Sequence, residues 1–306
     1  MRFLVTGGAG FIGNNIARLL LESGHSVDII DNLKVGKIEN IKDILHKVNF
    51  SQIDIRDIKK LNQNIKNIDG IFHEAALTSV PESYKKPKEY NDVNVIGTKN
   101  IFEIANRENI RVIYASSSSI YGNVTQIPIK ENFERKPINP YGQTKLNNEI
   151  LAETFEDLSV IGLRYFNVYG VGQNISYAGV ITKFLEQIKN KIPLSINGSG
   201  NQIRDFIQVK DIAKANLSAM DSNVKKGFFN VGTGISTSIN DLSKMMINLS
   251  NNENEIIYKP KLEGDIESSK ADMELTKKLI NWSHEIDLKE GLTELIVNNN
   301  YLDKTD

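Results

Sequence analysis

The chain has 306 residues, which is enough for one large α/β unit or for two domains that share a sheet. Hydrophobic residues make up 40% of it and charged residues 25%, a balance typical of a soluble globular protein. The formal net charge of −1 provides no basic field for nucleic acid or an anionic membrane, so neither is expected as a partner. The absence of cysteine excludes disulfides, thiolate metal sites and cysteine nucleophiles, and no metal site is predicted.

No apolar run in the sequence is long enough to cross a bilayer. The first predicted strand begins at Arg2, so no secretory leader is expected ahead of it. A cytoplasmic enzyme is therefore the default expectation.

The beginning of the chain has the pattern of a strand, a glycine turn and a helix. Arg2–Thr6 is a short apolar run typical of a buried parallel strand, and helical spacing of apolar residues starts at Phe11. Gly7 can make the tight turn between them, Gly10 lets backbone approach a pyrophosphate, and Gly13 allows close packing of the helix on the sheet. The free N–H groups at the start of such a helix attract phosphates, so the segment predicts a dinucleotide site.

An acidic residue follows the second predicted strand. Ser26–Ile30 ends at Asp31, close to the ~20 residues past the glycine motif at which a carboxylate accepts the adenosine ribose hydroxyls. A negative charge there repels a 2′-phosphate, which favours NAD over NADP. The alternative interpretation is an aspartate in an ordinary β-turn.

The next strands end in residues that also suit a ligand site. The fourth predicted strand, Gly70–His73, leads through Glu74 into Ala75 and Ala76. Small residues at this end of a strand let a ligand lie against the backbone, although tight packing explains them equally well. The predicted strands of this half are Arg2–Thr6, Ser26–Ile30, Val48–Ile53, Gly70–His73, Arg111–Ala115 and Leu158–Leu163.

Four serines, at positions 116–119, follow the fifth predicted strand, and a helix over Asp92–Arg107 is predicted before it. Loop solvation accounts for serines in general. At a buried strand end beside a ligand crevice, however, hydroxyls without partners are costly, which favours a role in binding.

A tyrosine and a lysine lie four residues apart at the start of another predicted helix. Asn139 suits the N-cap and Pro140 the first helical position, so Tyr141 and Lys145 project from one helix face. The ammonium and the helix N-terminus are expected to lower the pKa of the phenol from its usual ~10, and a nicotinamide cation would act in the same direction. Such a tyrosine can accept a proton at neutral pH. A chance pair on an exposed helix is the alternative.

The alternation of strands and helices weakens after the sixth strand. A turn-rich segment over 171–179, a helix from Val180 and a short strand over Arg204–Ile207 suggest a second, smaller lobe. We therefore predict a dinucleotide-binding domain over 1–166, with 207–235 returning to its sheet, and a second lobe over 167–306.

Together these motifs resemble the extended short-chain dehydrogenase/reductase family, in particular its nucleotide-sugar branch and the UDP-glucose 4-epimerase-like group. They occur in family order over nearly the whole chain: TGGAGFIG at 6–13, DNL at 31–33, SSSSIYG at 116–122, YGQTK at 141–145, RYFNVYG at 164–170, RDFIQVKD at 204–211 and NVGTG at 230–234. The resemblance implies an α/β fold, a Rossmann-type doubly wound parallel sheet with a smaller C-terminal lobe that binds a nucleotide sugar. It also implies tightly bound NAD, a UDP-sugar substrate, and a homodimer formed through the helices that begin at Asp92 and Pro140.

The resemblance assigns roles to individual residues. Tyr141 matches the family's base and Lys145 its partner, which also holds the nicotinamide ribose, while Ser117 would hydrogen-bond the reacting hydroxyl. Asn167 and Arg204 match residues that contact the diphosphate. Cofactor contacts are expected from Gly7, Gly10, Phe11, Ile12, Gly13, Asp31, Asn32, Asp54, Ile55, Ala75, Ala76, Tyr141, Lys145 and Phe166, and substrate contacts from Thr78, Ser117, Asn167, Arg204 and Ser269.

Two comparisons with the family narrow the chemistry. Similar dehydratases and decarboxylases carry acids just after the catalytic hydroxyl residue, where this chain has Ser118 and Ser119. Oxidation followed by reduction is what remains, which indicates an epimerase. The family's late arginine that grips the diphosphate is replaced by Leu262, so either the adjacent Lys261 substitutes or the nucleotide is held differently.

Several alternatives remain open. A small residue beside the hexose, here Ser269, leaves room for a 2-acetamido group, so N-acetylated sugars are expected beside glucose and galactose; an ordinary turn serine is the other interpretation. A UDP-glucuronate 4-epimerase, a 4-keto-sugar reductase and a redox-sensing regulator are the competing functions. The regulator is disfavoured because such proteins generally lose the Tyr/Lys pair. UDP and dTDP are not distinguished.

Overall fold

A parallel sheet of seven strands forms the centre of the molecule in a computed structural model, which describes residues 1–173, 179–261 and 266–298. The strands are β1 Arg2–Thr6, β2 Ser26–Asp31, β3 Val48–Gln52, β4 Gly70–His73, β5 Arg111–Ser117, β6 Val160–Tyr165, β7 Asn167–Tyr169, β8 Leu194–Asn197, β9 Ile203–Arg204, β10 Phe206–Gln208, β11 Lys226–Val231, β12 Thr237–Ser238 and β13 Ile256–Lys259. The large sheet has the order β11-β6-β5-β4-β1-β2-β3, with parallel pairing throughout. The predicted Rossmann-type α/β fold is confirmed.

Helices cover both faces of this sheet. They are α1 Phe11–Glu22, α2 Ile58–Asn64, α3 Val80–Lys85, α4 Pro87–Asn91, α5 Gly97–Arg107, α6 Pro140–Thr154, α7 Val180–Lys189, α8 Val209–Asp221, α9 Ile239–Leu249, α10 Glu274–Ile280 and α11 Leu288–Asn298. Short 3₁₀ turns cover Ile38–Ile41, Leu45–Lys47 and Ser118–Tyr121.

The core follows from the alternation of side chains along the buried strands. In β1, Phe3 packs into a cluster that includes α1 and α8, while Leu4 packs on the other face into a cluster that includes α5. Both residues are buried, as expected for a parallel strand with helices on each side. A third cluster joins α7, α9 and α11 in the C-terminal half.

The C-terminal half contributes to the large sheet and also forms small sheets of its own. Strand β11 pairs along β6 at the sheet edge, whereas β10 pairs with β7, β12 with β9, and β13 with β8 in separate two-stranded sheets. The domain boundaries at 166/167 and the return over 207–235 remain predictions.

The predicted strand over Arg204–Ile207 is wrong as a single element. Its residues fall into two strands, β9 and β10, which belong to different sheets. Asp205 lies between them and is fully buried, and its carboxylate accepts hydrogen bonds from the backbone N–H groups of Thr233, Gly234 and Ala271 at 2.8, 2.9 and 3.0 Å. The strand is interrupted at Asp205, because its buried side chain accepts hydrogen bonds from these three N–H groups.

The predicted helix over Asp92–Arg107 contains a π-helical segment, Asp92–Ile96, between α4 and α5. Its Asn94 exchanges hydrogen bonds with the backbone of Leu77, and its side-chain amide also donates to Thr144 of α6. π-Segments occur often at functional sites. This one ties the helix to the chain that follows β4.

Strands β5 and β6 each run two residues beyond their predicted ends, to Ser117 and Tyr165. The apolar pattern of each strand stops before the strand itself ends, because its last residues include polar ones. They stay within the sheet because Arg164 is buried against Glu149 of α6, donating from Nε and Nη2 at 2.9 and 2.8 Å to its two carboxylate oxygens. Both charges are thus paired inside the protein.

No helix in the described ranges is both long and apolar enough to cross a membrane. The cytoplasmic location remains a prediction.

Replacing Glu149 by leucine should lower the free energy of unfolding by about 3–5 kcal/mol, because Arg164 would keep a buried charge without its partner. Urea unfolding followed by the fluorescence of the buried Trp282 measures the loss. Glu153→Gln is the matched control, since Glu153 is the exposed partner of Arg135, which also contacts Glu149. That control should change stability by less than about 1 kcal/mol. Equal losses in both variants would contradict the assignment.

Candidate active site

A cavity of about 830 Å³ lies at the carboxyl ends of the parallel strands. In open parallel sheets this edge is where ligands bind. The sequence-predicted site residues that line it are Gly7, Gly10, Phe11, Ile12, Gly13, Asp31, Asn32, Ile55, Ala75, Ala76, Thr78, Ser117, Tyr141, Lys145 and Phe166.

The glycine loop forms one wall of the cavity. Gly7 has φ of +69°, and a Cβ on it would lie 2.7 Å from the backbone nitrogen of Ala75. A Cβ on Gly13 would lie 2.3 Å from the carbonyl oxygen of Gly7, so α1 can approach the loop only without a side chain there. Ala75 therefore packs tightly against the glycine loop and also lines the cavity. Tight packing and a place beside the ligand are thus compatible explanations for the small residue.

The start of α1 provides donors for phosphate. Gly10 is its N-cap, with extended backbone and no side-chain cap, and Phe11, Ile12 and Gly13 of the first turn line the cavity. The first N–H groups of a helix have no partner within it, and the helix dipole adds positive charge. The cradle and its donors fit the diphosphate of NAD.

Asp31 lies at the end of β2 in the same cavity. Its carboxylate accepts from the backbone N–H of Ala9 at 3.1 Å and of Leu33 at 2.8 Å, which fixes its orientation. Burial raises its pKa. Each oxygen keeps a further lone pair, so the group can still accept the ribose hydroxyls as predicted.

A loop that follows Asp31 was not predicted from the sequence as part of the site. The backbone N–H of Lys37 and the side chain of Asn40 both donate to the carbonyl of Ala9, at 3.1 and 2.8 Å, and both residues line the cavity. The available signal was Gly36 beside Lys37, soon after the acid. This loop extends the adenosine end of the predicted site.

The predicted catalytic residues meet at the opposite end. The Asn139 side chain caps α6 by accepting from the N–H of Gly142 at 2.7 Å, which sets Tyr141 in the first turn. Tyr141 shares a hydrogen bond with Ser117. The ammonium of Lys145 donates to the carbonyl of Ala115 at 2.7 Å and lies 5.8 Å from the centre of the Tyr141 ring.

The predicted lowering of the Tyr141 pKa is wrong for the protein groups alone. Burial raises the pKa of Tyr141 to about 12, and the nearby carboxyl of Glu74 raises it further, while the Ser117 hydrogen bond lowers it. Lys145 is itself buried, which lowers its pKa to about 8. Its ammonium is directed to a backbone carbonyl rather than to the phenol. A phenolate here needs another positive charge.

A second missed residue is Glu74, at the end of β4. It lines the cavity, and the hydroxyl of Tyr165 donates to its Oε1 at 2.9 Å. In this segment, only Ala75 and Ala76, which follow it, were predicted from the sequence to line the site. An acid at the ligand end of a buried strand was the signal.

Asp54 lies outside the residues that line the cavity. Arg56 donates to both its carboxylate oxygens at 2.9 and 2.7 Å, and the Asn32 amide donates at 2.9 Å. These hydrogen bonds, led by the arginine, keep its pKa below the usual range. Asp54 therefore supports Asn32, which does line the cavity.

The predicted substrate residues of the C-terminal half lie together around Asp205, beyond the cavity lining. The Asn167 amide donates to the carbonyl of Asp205 at 3.1 Å. Arg204 donates to the carbonyl of Ile203 at 2.8 Å, and the backbone N–H of Ser269 donates to the same carbonyl at 3.1 Å. Their roles remain predictions.

The position of the missing family arginine, Leu262, lies outside the described residues. Lys261, the suggested substitute, pairs with Glu267. Within the described ranges, no group of three or more acidic or histidine side chains could hold a metal ion.

Comparison with known proteins agrees with this geometry. The sequence pattern of the NAD dependent epimerase/dehydratase family matches residues 3–232. The chain belongs to this family. The predicted resemblance, the enzyme class and NAD as the cofactor are confirmed.

Solved structures are similar over almost the whole chain. A UDP-glucose 4-epimerase of Thermotoga maritima, with UDP-glucose, has a TM-score of 0.93 and 34% identity and covers 98% of this chain and 99% of its own. A UDP-N-acetylglucosamine 4-epimerase of Methanobrevibacter ruminantium, in complex with UDP-N-acetylmuramic acid, has a TM-score of 0.91 and 37% identity, with 97% of each chain covered. A UDP-glucose 4-epimerase of Thermus thermophilus in complex with NAD has a TM-score of 0.88 and 29% identity, covering 98% and 99%.

Proposed function

We propose that this chain interconverts UDP-hexoses that differ in configuration at C4. The observation that carries the proposal is the meeting of Ser117, Tyr141 and Lys145 in the wall of the dinucleotide cavity. The neighbouring positions 118 and 119 are serines, and the Ser119 hydroxyl accepts from Ser117 at 3.1 Å. Serine at these two positions supplies no acid for elimination or decarboxylation, which leaves proton transfer at the hydroxyl held by Ser117 and Tyr141.

The residues of the chain handle the proton and the orientation of the sugar. Tyr141 takes the proton of the C4 hydroxyl as the C4–H bond breaks, and Ser117 holds the reacting oxygen. The glycine loop and Asp31 would hold NAD, which would supply the acceptor for the C4 hydride and the source of its return. After the 4-ketose has turned over, Tyr141 returns its proton to the C4 oxygen on the product of opposite configuration.

The raised pKa of Tyr141 suits this division of labour. Burial holds the phenol protonated when only protein groups surround it. An added positive charge near the ring favours phenolate, and the oxidised nicotinamide carries one. The base is therefore activated together with the hydride acceptor.

The substrate class is proposed from the residues around Asp205. Asn167 and Arg204 provide an amide and a guanidinium suited to a diphosphate. The backbone of Ser269 is hydrogen-bonded to β9, the strand that contains Arg204. Because its side chain is small and leaves room for a 2-acetamido group, the N-acetylated pair is proposed as a substrate beside UDP-glucose and UDP-galactose. The structures with UDP-glucose and of a UDP-N-acetylglucosamine 4-epimerase support both sugars equally.

A panel of UDP-sugars tests this proposal directly. The purified protein should interconvert C4 epimers without added cofactor, because hydride is returned in each turnover. Stoichiometric consumption of external NADH would indicate a 4-keto-sugar reductase, and conversion of UDP-glucuronate alone would indicate the glucuronate epimerase. Bound NAD without turnover of any UDP-sugar would favour the regulator.

Replacing Tyr141 by phenylalanine should lower turnover by ~10²–10⁴-fold, the usual loss of a general base, with NAD largely retained. Steady-state kinetics and the NAD content of the purified variant measure the two effects. Tyr84→Phe is the control, because Tyr84 is exposed and donates from its hydroxyl to the carbonyl of Ile138. Wild-type turnover in Tyr141→Phe would rule out the assigned base.

Replacing Ser269 by tyrosine should abolish turnover of the N-acetylated pair while sparing the plain hexoses, because the larger ring would fill the acetamido space. The ratio of kcat/KM for the two pairs is the measurement, and Ser269→Ala should keep that ratio unchanged. A misfolded variant loses both activities together. If the ratio is unchanged in Ser269→Tyr, the residue does not face the sugar.

The predicted homodimer is proposed to form through α6 and the helix that begins at Asp92, which comprises the π-helical segment Asp92–Ile96 and α5. Each presents an exposed isoleucine, Ile150 at 47% and Ile96 at 45% exposure. Apolar side chains on two adjacent helices suit an intermolecular four-helix bundle.

The wild-type chain should sediment as a dimer at micromolar concentration, and Ile150→Arg should shift it to monomer, because the charge would be buried at the interface. Ile257→Arg is the matched control, since Ile257 is 40% exposed on β13, outside those helices. A wild-type monomer, or dissociation by both variants, would contradict this interface.

A further inference from the structure

Glu74 occupies a defined place in the wall of the cofactor cavity. It follows directly after β4, and the Tyr165 hydroxyl donates to its Oε1 at 2.9 Å. That hydroxyl accepts in turn from the Asn216 amide of α8 at 2.7 Å. The hydrogen bonds thus run from Asn216 through Tyr165 to Glu74, and they fix the orientation of the carboxyl group through its Oε1 atom.

The charge of this carboxyl group is poorly compensated by the protein. Within the described part of the chain, Oε2 accepts no hydrogen bond, and the ammonium of Lys145 donates to the carbonyl of Ala115 rather than to Glu74. Burial raises the pKa of Glu74 to about 8, against the smaller opposing effects of Tyr165 and Lys145. A cation beside such an acid favours its ionised form.

The groups that face Glu74 come from the elements packed around it. Lys145 and Tyr141 of α6 act on it electrostatically, and the Tyr165 hydroxyl of β6 donates to it. Its chain neighbour His73 is turned away, with its ring nitrogens 2.7 and 2.9 Å from the hydroxyls of Thr6 and Thr98, and burial lowers its pKa to about 3. Lys145 is thus the cation that the protein itself provides.

The position of Glu74 relative to the proton-transfer pair indicates what it serves. The hydride leaves C4 and the proton leaves the oxygen bonded to C4, so the proposed reaction requires the nicotinamide to lie beside Tyr141. The oxidised nicotinamide ring carries a positive charge and the reduced ring does not. A carboxylate in that wall therefore acts differently on the two forms of the cofactor.

We infer that Glu74 makes this site bind oxidised NAD in preference to reduced NAD. The inference rests on the proposed epimerisation for its purpose. An epimerase starts every turnover with the oxidised cofactor, and any reduced cofactor left after loss of the ketose is inactive. Binding that favours the oxidised form keeps the enzyme ready and favours return of hydride to the sugar.

The experiment measures which form of the cofactor the intact protein retains. Purified protein is incubated with an equal mixture of oxidised and reduced NAD until the bound ratio is the same from either starting form. Free cofactor is then removed, and the bound cofactor is extracted and quantified. Three variants are compared with the wild type: Glu74→Gln, Glu74→Asp and Glu153→Gln.

Glu74→Gln keeps an acceptor for Tyr165 but removes the charge, so the bound ratio of oxidised to reduced NAD should fall about tenfold, which corresponds to one pKa unit of lost charge interaction. Glu74→Asp should retain most of the preference. Glu153→Gln removes an equivalent charge from the exposed side of α6 and should leave the ratio unchanged. A purely structural role would weaken binding of both forms alike.

An unchanged ratio in Glu74→Gln would overturn the inference, as would an equal fall in Glu153→Gln. The UDP-sugar panel is scored separately on the same preparations. A wild-type protein that converts no UDP-sugar but loses its preference in Glu74→Gln would refute the proposed function and support the role of Glu74. Normal epimerisation by the wild type, with no change of the bound ratio in Glu74→Gln, would support the proposed function and refute the role of Glu74.

Discussion

The buried ion pair between Glu149 and Arg164 is the interaction on which the site depends. Arg164 lies in β6, and Glu149 lies one turn after Lys145 in α6. The pair therefore docks α6 on the sheet, with Ser116 of β5 donating to the same carboxylate at 2.6 Å. Ser117 is the next residue in that strand, so one buried carboxylate aligns the hydroxyl, the phenol and the ammonium of the site. Apolar residues in these places would pack, but they would leave the rotation of α6 on the sheet less well defined.

The pKa values of the ionisable groups in the cavity are governed mainly by burial. Burial disfavours each charged form in turn: it raises the pKa of Tyr141 and Glu74 and lowers that of Lys145. Without the cofactor, the protein groups of the site therefore favour the neutral forms of Tyr141 and Glu74. A cation in the cavity favours ionisation of both acids, which in the proposed reaction links activation of Tyr141 to the presence of the hydride acceptor.

The sequence predicted the elements whose pattern is local, and it failed where distant groups decide. The glycine loop, the cap at Asn139 and the Tyr141/Lys145 pair follow from spacing and propensity, and the structure has them in place. The ends of β5 and β6 and the break at Asp205 depend on partners far along the chain, which no local pattern reveals. The pKa of Tyr141 was predicted with the wrong sign for a similar reason. Proximity in sequence suggested a contact with Lys145, whereas the fold gives that ammonium to Ala115.

Asp205 helps to position the segment that carries Ser269 through hydrogen bonds with the main chain. Its carboxylate holds the backbone of Thr233, Gly234 and Ala271, and the backbone of Ser269 is held by the carbonyl of Ile203. The segment that carries Ser269 is thus positioned by main-chain hydrogen bonds, which do not depend on the identity of its side chains. A change of side chain at 269 leaves those bonds in place. If Ser269 lies beside the hexose as proposed, selectivity for the sugar can change at this position while the path of the chain, and with it the end of the cavity that holds Tyr141, stays the same.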